Sequence, residues 1–398
     1  MKPVIIIGSG QAGYTVAREF RKLDKTTPMF IITADDGGFY AKPMLSNAFA
    51  QNKQPDQLVN QTALQIAVQL DAHIMTGTRA TGIDTKDQLV ATSAGSFAYG
   101  KLVIAVGAQP IRLAIDGDAA SEVLSINHIA DYAHFRSRLT GQSRVTILGA
   151  GLIGCEFADD LAGAGHAVTL VDPGPLPLSS LAAPALAQGL RHALEDRGVA
   201  MHLGTTAARI DRNTGGIRVA LADGSVLETD IVLSAVRLRP DLRVAQQAGL
   251  STNRGILIDA FGRTSAANVY ALGDCAEYTL HGETRPMPYI APLMAAARAI
   301  ARALAGEHTA IELKPSPVIV KTPSFPLALL PPPPHALASG YWETSLEEER
   351  MICRFYDPRE VMTGFGLAPQ EATLRQELLA ALGKPRISDL QNPQTLAA

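Results

Sequence analysis

The chain has little of what would mark a secreted scaffold, a membrane protein or a nucleic-acid binder. Its 398 residues include three cysteines, Cys155, Cys275 and Cys353. They are too few and too scattered for a disulfide framework or a four-cysteine metal site, and no metal is expected. Acids and bases nearly balance, leaving a net charge of −3, so no global basic field draws nucleic acid. The most apolar late stretch, residues 290–305, contains Arg298 and Arg302, which argues against a membrane span. The sequence enters a strand pattern almost at Met1, leaving no room for a signal peptide. A reducing, cytoplasmic setting and a monomer are expected. What is present is 47% apolar and 18% charged, the balance of a soluble protein with a large core and two or three domains.

The strongest positive feature is a repeated loop. Val4-Ile5-Ile6-Ile7 runs into Gly8-Ser9-Gly10-Gln11-Ala12-Gly13, and Val145-Thr146-Ile147-Leu148 runs into Gly149-Ala150-Gly151-Leu152-Ile153-Gly154. Each is a β-branched strand, a Gly-x-Gly-x-x-Gly loop and a helical pattern, the fingerprint of a dinucleotide site. The first Gly makes the turn, the second admits the pyrophosphate, and the third lets helix pack on strand. The free N–H groups and partial positive charge of the helix N-terminus then face the diphosphate. Two such loops in one chain imply two dinucleotides able to exchange electrons.

Around these loops the chain alternates strand and helix. The first unit reads helix 14–23, strand 29–33, helix 63–70 and strand 102–105. The second reads strand 145–148, helix 153–164, strand 168–171, helix 183–197, a β region 207–219, a hairpin turn at Asp223-Gly224 and strand 231–234. This alternation predicts an α/β fold with doubly wound parallel sheets. A helix is expected over 292–304. From about residue 311 the texture changes to a strand at 318–321, polyproline II at Pro331–Pro334 and paired strands at 350–355 and 361–367.

An acid about 20 residues past the glycines ordinarily holds the adenosine ribose. After the first loop, strand 29–33 ends in Thr33-Ala34-Asp35-Asp36; Asp35 is the candidate, with Asp36 or backbone groups alone the alternative. After the second loop the candidate is Asp172, which would accept from a ribose 2′-hydroxyl and repel a 2′-phosphate, favouring NADH. The other reading is a turn acid before Pro173. Gly273-Asp274, at a strand end well after the second loop, suits hydrogen bonding to a ribityl or ribose hydroxyl.

With these motifs the chain resembles the two-dinucleotide flavoprotein reductases of the glutathione-reductase fold. The resemblance implies that the first loop and Gly273-Asp274 bind FAD and that the inserted second loop binds NADH. The redox cysteine pairs of disulfide-reducing members have no counterpart. Residues 39–47 hold none, the second domain has no Cys-x-x-Cys, and Cys155 and Cys275 follow motif residues where small side chains pack. Instead, Tyr40-x-Lys42-Pro43-x-Leu45-Ser46 is similar to the branch that reduces iron–sulfur proteins and rubredoxins. That likeness implies Lys42 beside the flavin N5 edge, paired with Glu156. On the residues alone, Lys42 reads rather as a solvated loop lysine and Glu156 as a helix N-terminal acid.

Val318-x-Val320-Lys321-Thr322-Pro323 and the proline run narrow the resemblance to rubredoxin–NAD reductases and flavorubredoxin reductases. By this likeness Lys321 reaches the flavin pyrimidine edge; without it, Lys321 is a strand-edge lysine. Pro43, Ala80, Ala105 and Leu293 are further expected lining positions. The implied domains are 1–112 and 243–310 for FAD, 113–242 for NADH and 311–384 for the rubredoxin interface, with 385–398 a flexible tail. The implied activity is NADH-dependent reduction of FAD followed by single-electron transfer to rubredoxin, a small acidic iron protein docking near Lys42, Lys314 and Lys321. A flavorubredoxin or ferredoxin reductase, an NADH oxidase and a non-turnover NADH sensor remain open. So does the effect of Arg237, which stands where the family usually has Gly.

Overall fold

The computed structural model describes residues 2–280 and 283–386. Two five-stranded parallel sheets carry the two loops. In the first, strand Val4–Ile7 lies between Met29–Ile32 and Lys101–Ile104, with His73–Met75 and Val269–Ala271 at the edges. In the second, Arg144–Leu148 lies between Ala167–Asp172 and Ile231–Ser234, with Ala200–Leu203 and Leu124–Ser125 at the edges. The loop-bearing strand is central in both and is buried on both faces, which is why each reads as a continuous apolar run rather than an alternation.

Helix Gln11–Leu23 follows the first loop and packs against helix Ile290–Leu304. Helix Leu152–Gly163 follows the second. The chain leaves the first unit after Lys101–Ile104, completes the second, and returns as Val269–Ala271 beside the strand it left. Among the described residues no helix is long and apolar enough to cross a membrane.

The three expected C-terminal strands join two that were not expected, Leu327–Leu330 and Tyr341–Glu347, in an antiparallel sheet of order Val318–Val320, Leu327–Leu330, Met362–Ala368, Arg350–Tyr356, Tyr341–Glu347. Helix Ala372–Ala381 covers it. Helix Pro184–Asp196 of the second unit abuts this sheet, and small residues set the distance. A Cβ on Gly189 would lie 2.6 Å from the Phe325 ring, and one on Gly366 would lie 2.4 Å from Leu186. One apolar core therefore runs from the second parallel sheet into the C-terminal sheet, through residues such as Ile147, Leu186, Leu190, Val320 and Leu329.

Two expectations shift, and one sheet was not expected. The proline run is not uniformly extended, because Pro334 opens helix Pro334–Leu337, a position where its missing N–H costs nothing. The small antiparallel sheet Ala80–Asp84, Leu89–Thr92, Gly95–Ala98 has half-exposed strands whose alternation is too weak to read from sequence. Of the expected tail, residues 387–398 lie outside the described residues. Arg386 is held, its N–H donating to the Glu360 carbonyl at 2.7 Å.

Candidate functional site

The two glycine loops have the same geometry, position by position. Gly8 and Gly149 have φ of +114° and +109°, left-handed values that exclude a side chain. A Cβ on Gly13 would sit 1.9 Å from the Gly8 carbonyl oxygen, and one on Gly154 would sit 1.8 Å from that of Gly149. The third glycine of each loop is thus locked against the first. The middle glycines differ. A Cβ on Gly10 or Gly151 meets no protein atom within 4 Å. Nothing in the fold requires glycine there, and the open space is what a close-lying pyrophosphate needs. Gly10 and Gly151 are also helix N-caps without a side-chain cap, so the first-turn N–H groups face that space unspent. The residues fit a dinucleotide at each loop.

Around the first loop, Asp35 is the centre of a polar cluster. Its Oδ1 accepts from Ser9 Oγ at 3.0 Å, from the Gly37 N–H at 2.9 Å and from the Thr33 hydroxyl. Its Oδ2 lies 2.8 Å from His128 Nε2. Burial alone would raise its pKa, but the bonds from His128, Thr33, Gly37 and Ser9 outweigh burial and hold the carboxyl below the usual range. The imidazole is correspondingly raised, first by that hydrogen bond. Ala34 is exposed beside this cluster. Asp36, the alternative acid, turns back to the Gly38 N–H. Gln11 reaches Thr15, and Ala105 supplies the carbonyl that Gly8 abuts.

Gly273 has φ +77°, and a Cβ there would come within 2.9 Å of Ala12. The Gly273–Cys275 turn therefore lies against the first loop's helix, with Leu293 beyond it at 3.8 Å. Asp274 is half-buried, and desolvation raises its pKa despite the attraction of Lys42. Lys42 lies within electrostatic reach of it. It is open to solvent yet closely surrounded, and desolvation lowers its pKa. Pro43 follows it at the start of the 3₁₀ helix Lys42–Asn47. Ala80 opens the strand Ala80–Asp84.

At the second loop, Asp172 ends its strand and binds the loop directly. Its Oδ2 accepts from the Ala150 N–H and its Oδ1 from the Gly174 N–H, both at 2.7 Å. A carboxylate has about four acceptor positions, so each oxygen keeps one for a ribose hydroxyl. Leu152 and Ile153 begin the helix; Ile153 lines a narrow crevice with Phe157, Pro110, Ala235 and Val236.

The expected Lys42–Glu156 pair does not form. Glu156 is 5% exposed, and its carboxylate is taken by other groups. Oε1 accepts from the Lys321 backbone N–H at 3.0 Å; Oε2 accepts from the Lys321 ammonium and from Ser46 Oγ, the latter at 2.5 Å. The reason is helical geometry. With about three residues per 3₁₀ turn, Ser46 and Lys42 point about a third of a turn apart. Ser46 faces helix Leu152–Gly163, and Lys42 faces Asn127, donating to its Oδ1 at 2.9 Å. Of the expected docking lysines, Lys321 is thereby engaged inside the protein, whereas Lys314 is exposed. Arg237 is exposed on the loop after strand Ile231–Ser234.

Helix Leu152–Gly163 binds two further segments through acids that sequence reasoning passed over. Asp159 accepts from the Ser324 N–H at 3.0 Å and pairs with Arg197 at 2.9 Å. Asp160 accepts from the Phe49 and Ala50 N–H groups at 3.0 and 2.7 Å. Their signal was available: two adjacent acids inside a helical pattern otherwise apolar enough to be buried. All three thiols are buried, and burial raises each, Cys275 to about 12. None is poised as a thiolate.

Residues 2–301 match the family model of pyridine nucleotide-disulphide oxidoreductases, and residues 310–382 match the rubredoxin binding C-terminal domain. The chain is 43% identical over 383 residues to a Rubredoxin-NAD(+) reductase of Alcanivorax borkumensis, covering 95% of this chain and 98% of that one. It is 40% identical over 329 residues to a Nitric oxide reductase FlRd-NAD(+) reductase of Aeromonas salmonicida, covering 82% and 83%. Among solved structures it superposes on the covalent putidaredoxin reductase–putidaredoxin complex with a TM-score of 0.87 at 22% identity, over 96% and 94% of the chains, a likeness of fold.

Proposed function

The chain belongs to the pyridine nucleotide-disulphide oxidoreductase family, and from that membership we propose that it is a flavoprotein that takes reducing equivalents from NADH and passes them singly to rubredoxin. One observation carries the reading. The segment matching the rubredoxin binding domain sends Lys321 into the junction between the two nucleotide units, where it meets Glu156 of one and Ser46 of the other. A docked partner would therefore sit next to the redox site.

We assign residues 1–112 and 243–310 to FAD binding, 113–242 to NADH and 311–384 to the acceptor interface. Gly8, Ser9, Gly10, Gln11, Ala12 and Gly13 hold the FAD diphosphate, and Thr33, Ala34 and Asp35 its adenosine end. Pro43, Ala80, Ala105, Gly273, Asp274 and Leu293 line the rest. Gly149, Gly151, Leu152, Ile153 and Gly154 hold the NADH diphosphate, and Asp172 its ribose. FAD, when bound, supplies the chemistry that accepts two electrons from NADH and releases them one at a time. The protein supplies orientation and charge. The Lys42 ammonium stabilises negative charge accumulating in the cleft. Glu156 and Ser46 keep the three segments in register. A flavorubredoxin is the second acceptor to weigh, on the identity with the FlRd-NAD(+) reductase.

Rapid-mixing measurements test this. NADH should bleach the bound flavin, and added rubredoxin should then be reduced at a rate that falls as salt rises, while the bleaching rate stays nearly flat. Hydride transfer is internal, but docking to an acidic partner is screened over a Debye length of about 8 Å at 0.15 M salt. Oxygen consumption accounting for all NADH used would identify an oxidase instead, and tight NADH binding without turnover a sensor.

A further inference from the structure

Three contacts tie the segment before and through Lys42 to residues 127–129, at the entry of helix Ile129–Arg138. His128 meets Asp35, the Ile129 N–H donates to the Tyr40 hydroxyl at 3.0 Å, and Lys42 donates to Asn127. The third concerns charge. Among the described residues no carboxylate lies in ion-pair range of Lys42. Its ammonium is held instead by a neutral amide, and Asp274 and Asp131 act on it only at longer range.

The amide's orientation is not free. Asn127 Nδ2 donates to the Ala108 carbonyl at 2.8 Å, and a carbonyl can only accept. Oδ1 is thereby turned to Lys42. The Asn127 N–H is itself fixed by Asp131 Oδ2 at 3.0 Å. Ala108 lies in the strand Ala108–Pro110 that pairs with Leu238–Pro240, so the anchor is a hydrogen-bonded ribbon between the nucleotide units. By contrast, the second lysine of the site, Lys321, is neutralised by Glu156.

We propose that Asn127 is a positioning residue for Lys42, holding its ammonium at the flavin cleft by a hydrogen bond that leaves the positive charge uncompensated. This rests on the reading that Lys42 faces the flavin. A carboxylate at position 127 would cancel the ammonium's charge and lose the anchoring bond to the Ala108 carbonyl; a small side chain would release the ammonium.

The test compares Asn127→Asp, Asn127→Ser and Lys42→Met holoenzymes by FAD content, thermal stability, redox titration of the bound flavin, the rate of its reduction by NADH and the NADH dissociation constant. Asn127→Asp should retain FAD and NADH affinity while lowering the flavin potential, shifting the equilibrium for reduction by NADH back by roughly tenfold, as expected for one added charge near the site. Asn127→Ser should slow flavin reduction with a smaller change in potential. Wild-type potential and reduction rate in both variants, while Lys42→Met lowers them, would overturn the proposal and leave the role of Lys42 standing. An unchanged potential in Lys42→Met as well would remove the Lys42 reading and this one with it. Loss of FAD or of thermal stability at an unchanged potential would make Asn127 merely structural, which also overturns the proposal.

Discussion

Glu156 binds Lys321 twice, through its backbone N–H and through its ammonium, and so joins a helix of the second nucleotide unit to the residue that follows the first strand of the C-terminal sheet. The carboxylate is buried and the lysine a quarter exposed. Glu156→Gln leaves one acceptor oxygen and points an amide N–H₂ either at the Lys321 backbone N–H or at the ammonium and Ser46. Removing one partner of a buried pair costs about 3–5 kcal/mol; partial exposure here reduces that to about 1–3 kcal/mol. Urea denaturation should show the loss, and limited proteolysis should release the segment after residue 310 more readily. Wild-type values in both measurements would mean that the apolar contact between the two units holds the C-terminal sheet without this pair.

The three glycines of each loop should separate by experiment. Gly10→Val places its side chain in open space, so the protein should fold, yet emerge from gel filtration without FAD. Gly13→Ala drives a methyl to 1.9 Å from the Gly8 carbonyl and should compromise folding itself. Gly151→Val should keep FAD and lose NADH binding. Full FAD retention by a folded Gly10→Val protein would refute the assignment of the first loop.

NADH should be preferred over NADPH on the order of a hundredfold in kcat/KM, about 3 kcal/mol. Asp172 is fixed by two backbone N–H groups that bind only its acceptor oxygens, and its remaining lone pairs suit hydroxyls, not a phosphate. Equal efficiency for the two donors would show that the exposed Arg237 offsets the repulsion.

The parallel sheets, the geometry of both loops and the place of Asp172 at a strand end were legible because each depends on contiguous sequence: a β-branched run, glycines at fixed spacing, an acid closing a strand. That Glu156 pairs with Lys321 and not with Lys42 was not, because it depends on which side of a 3₁₀ turn each side chain leaves, and on a lysine 165 residues beyond Glu156 in the chain. Asn127 and His128 escaped for the same reason. They lie in an unremarkable turn, and their meaning comes from what the fold sets opposite them. The sheet over residues 80–98 was missed because its half-exposed strands lack a clean apolar alternation.

Stability should depend on pH through His128 and Asp35 in a direction that can be worked out. The imidazole is raised above its ordinary value of about 6.5, so its pairing energy is fully present below pH ~6.5 and is lost as pH rises through the folded-state value. The Asp35 carboxyl is depressed, so its contribution is present above the ordinary carboxylate range, near pH ~4, and disappears only in stronger acid. Between these limits the pair is charged on both sides, and the protonated ring gives up the bond that its neutral Nδ1 accepts from the Ala130 N–H. Both side chains are about a third exposed, which confines the effect to a few tenths up to about 1 kcal/mol. His128→Gln should therefore destabilise the protein more at pH 6 than at pH 9, when compared by chemical denaturation with wild type at each pH. The difference should shrink at high salt, because an exposed pair is screened. A destabilisation equal at the two pH values would mean that His128 acts through its neutral ring alone, as the acceptor for the Ala130 N–H and a packing partner of Tyr40.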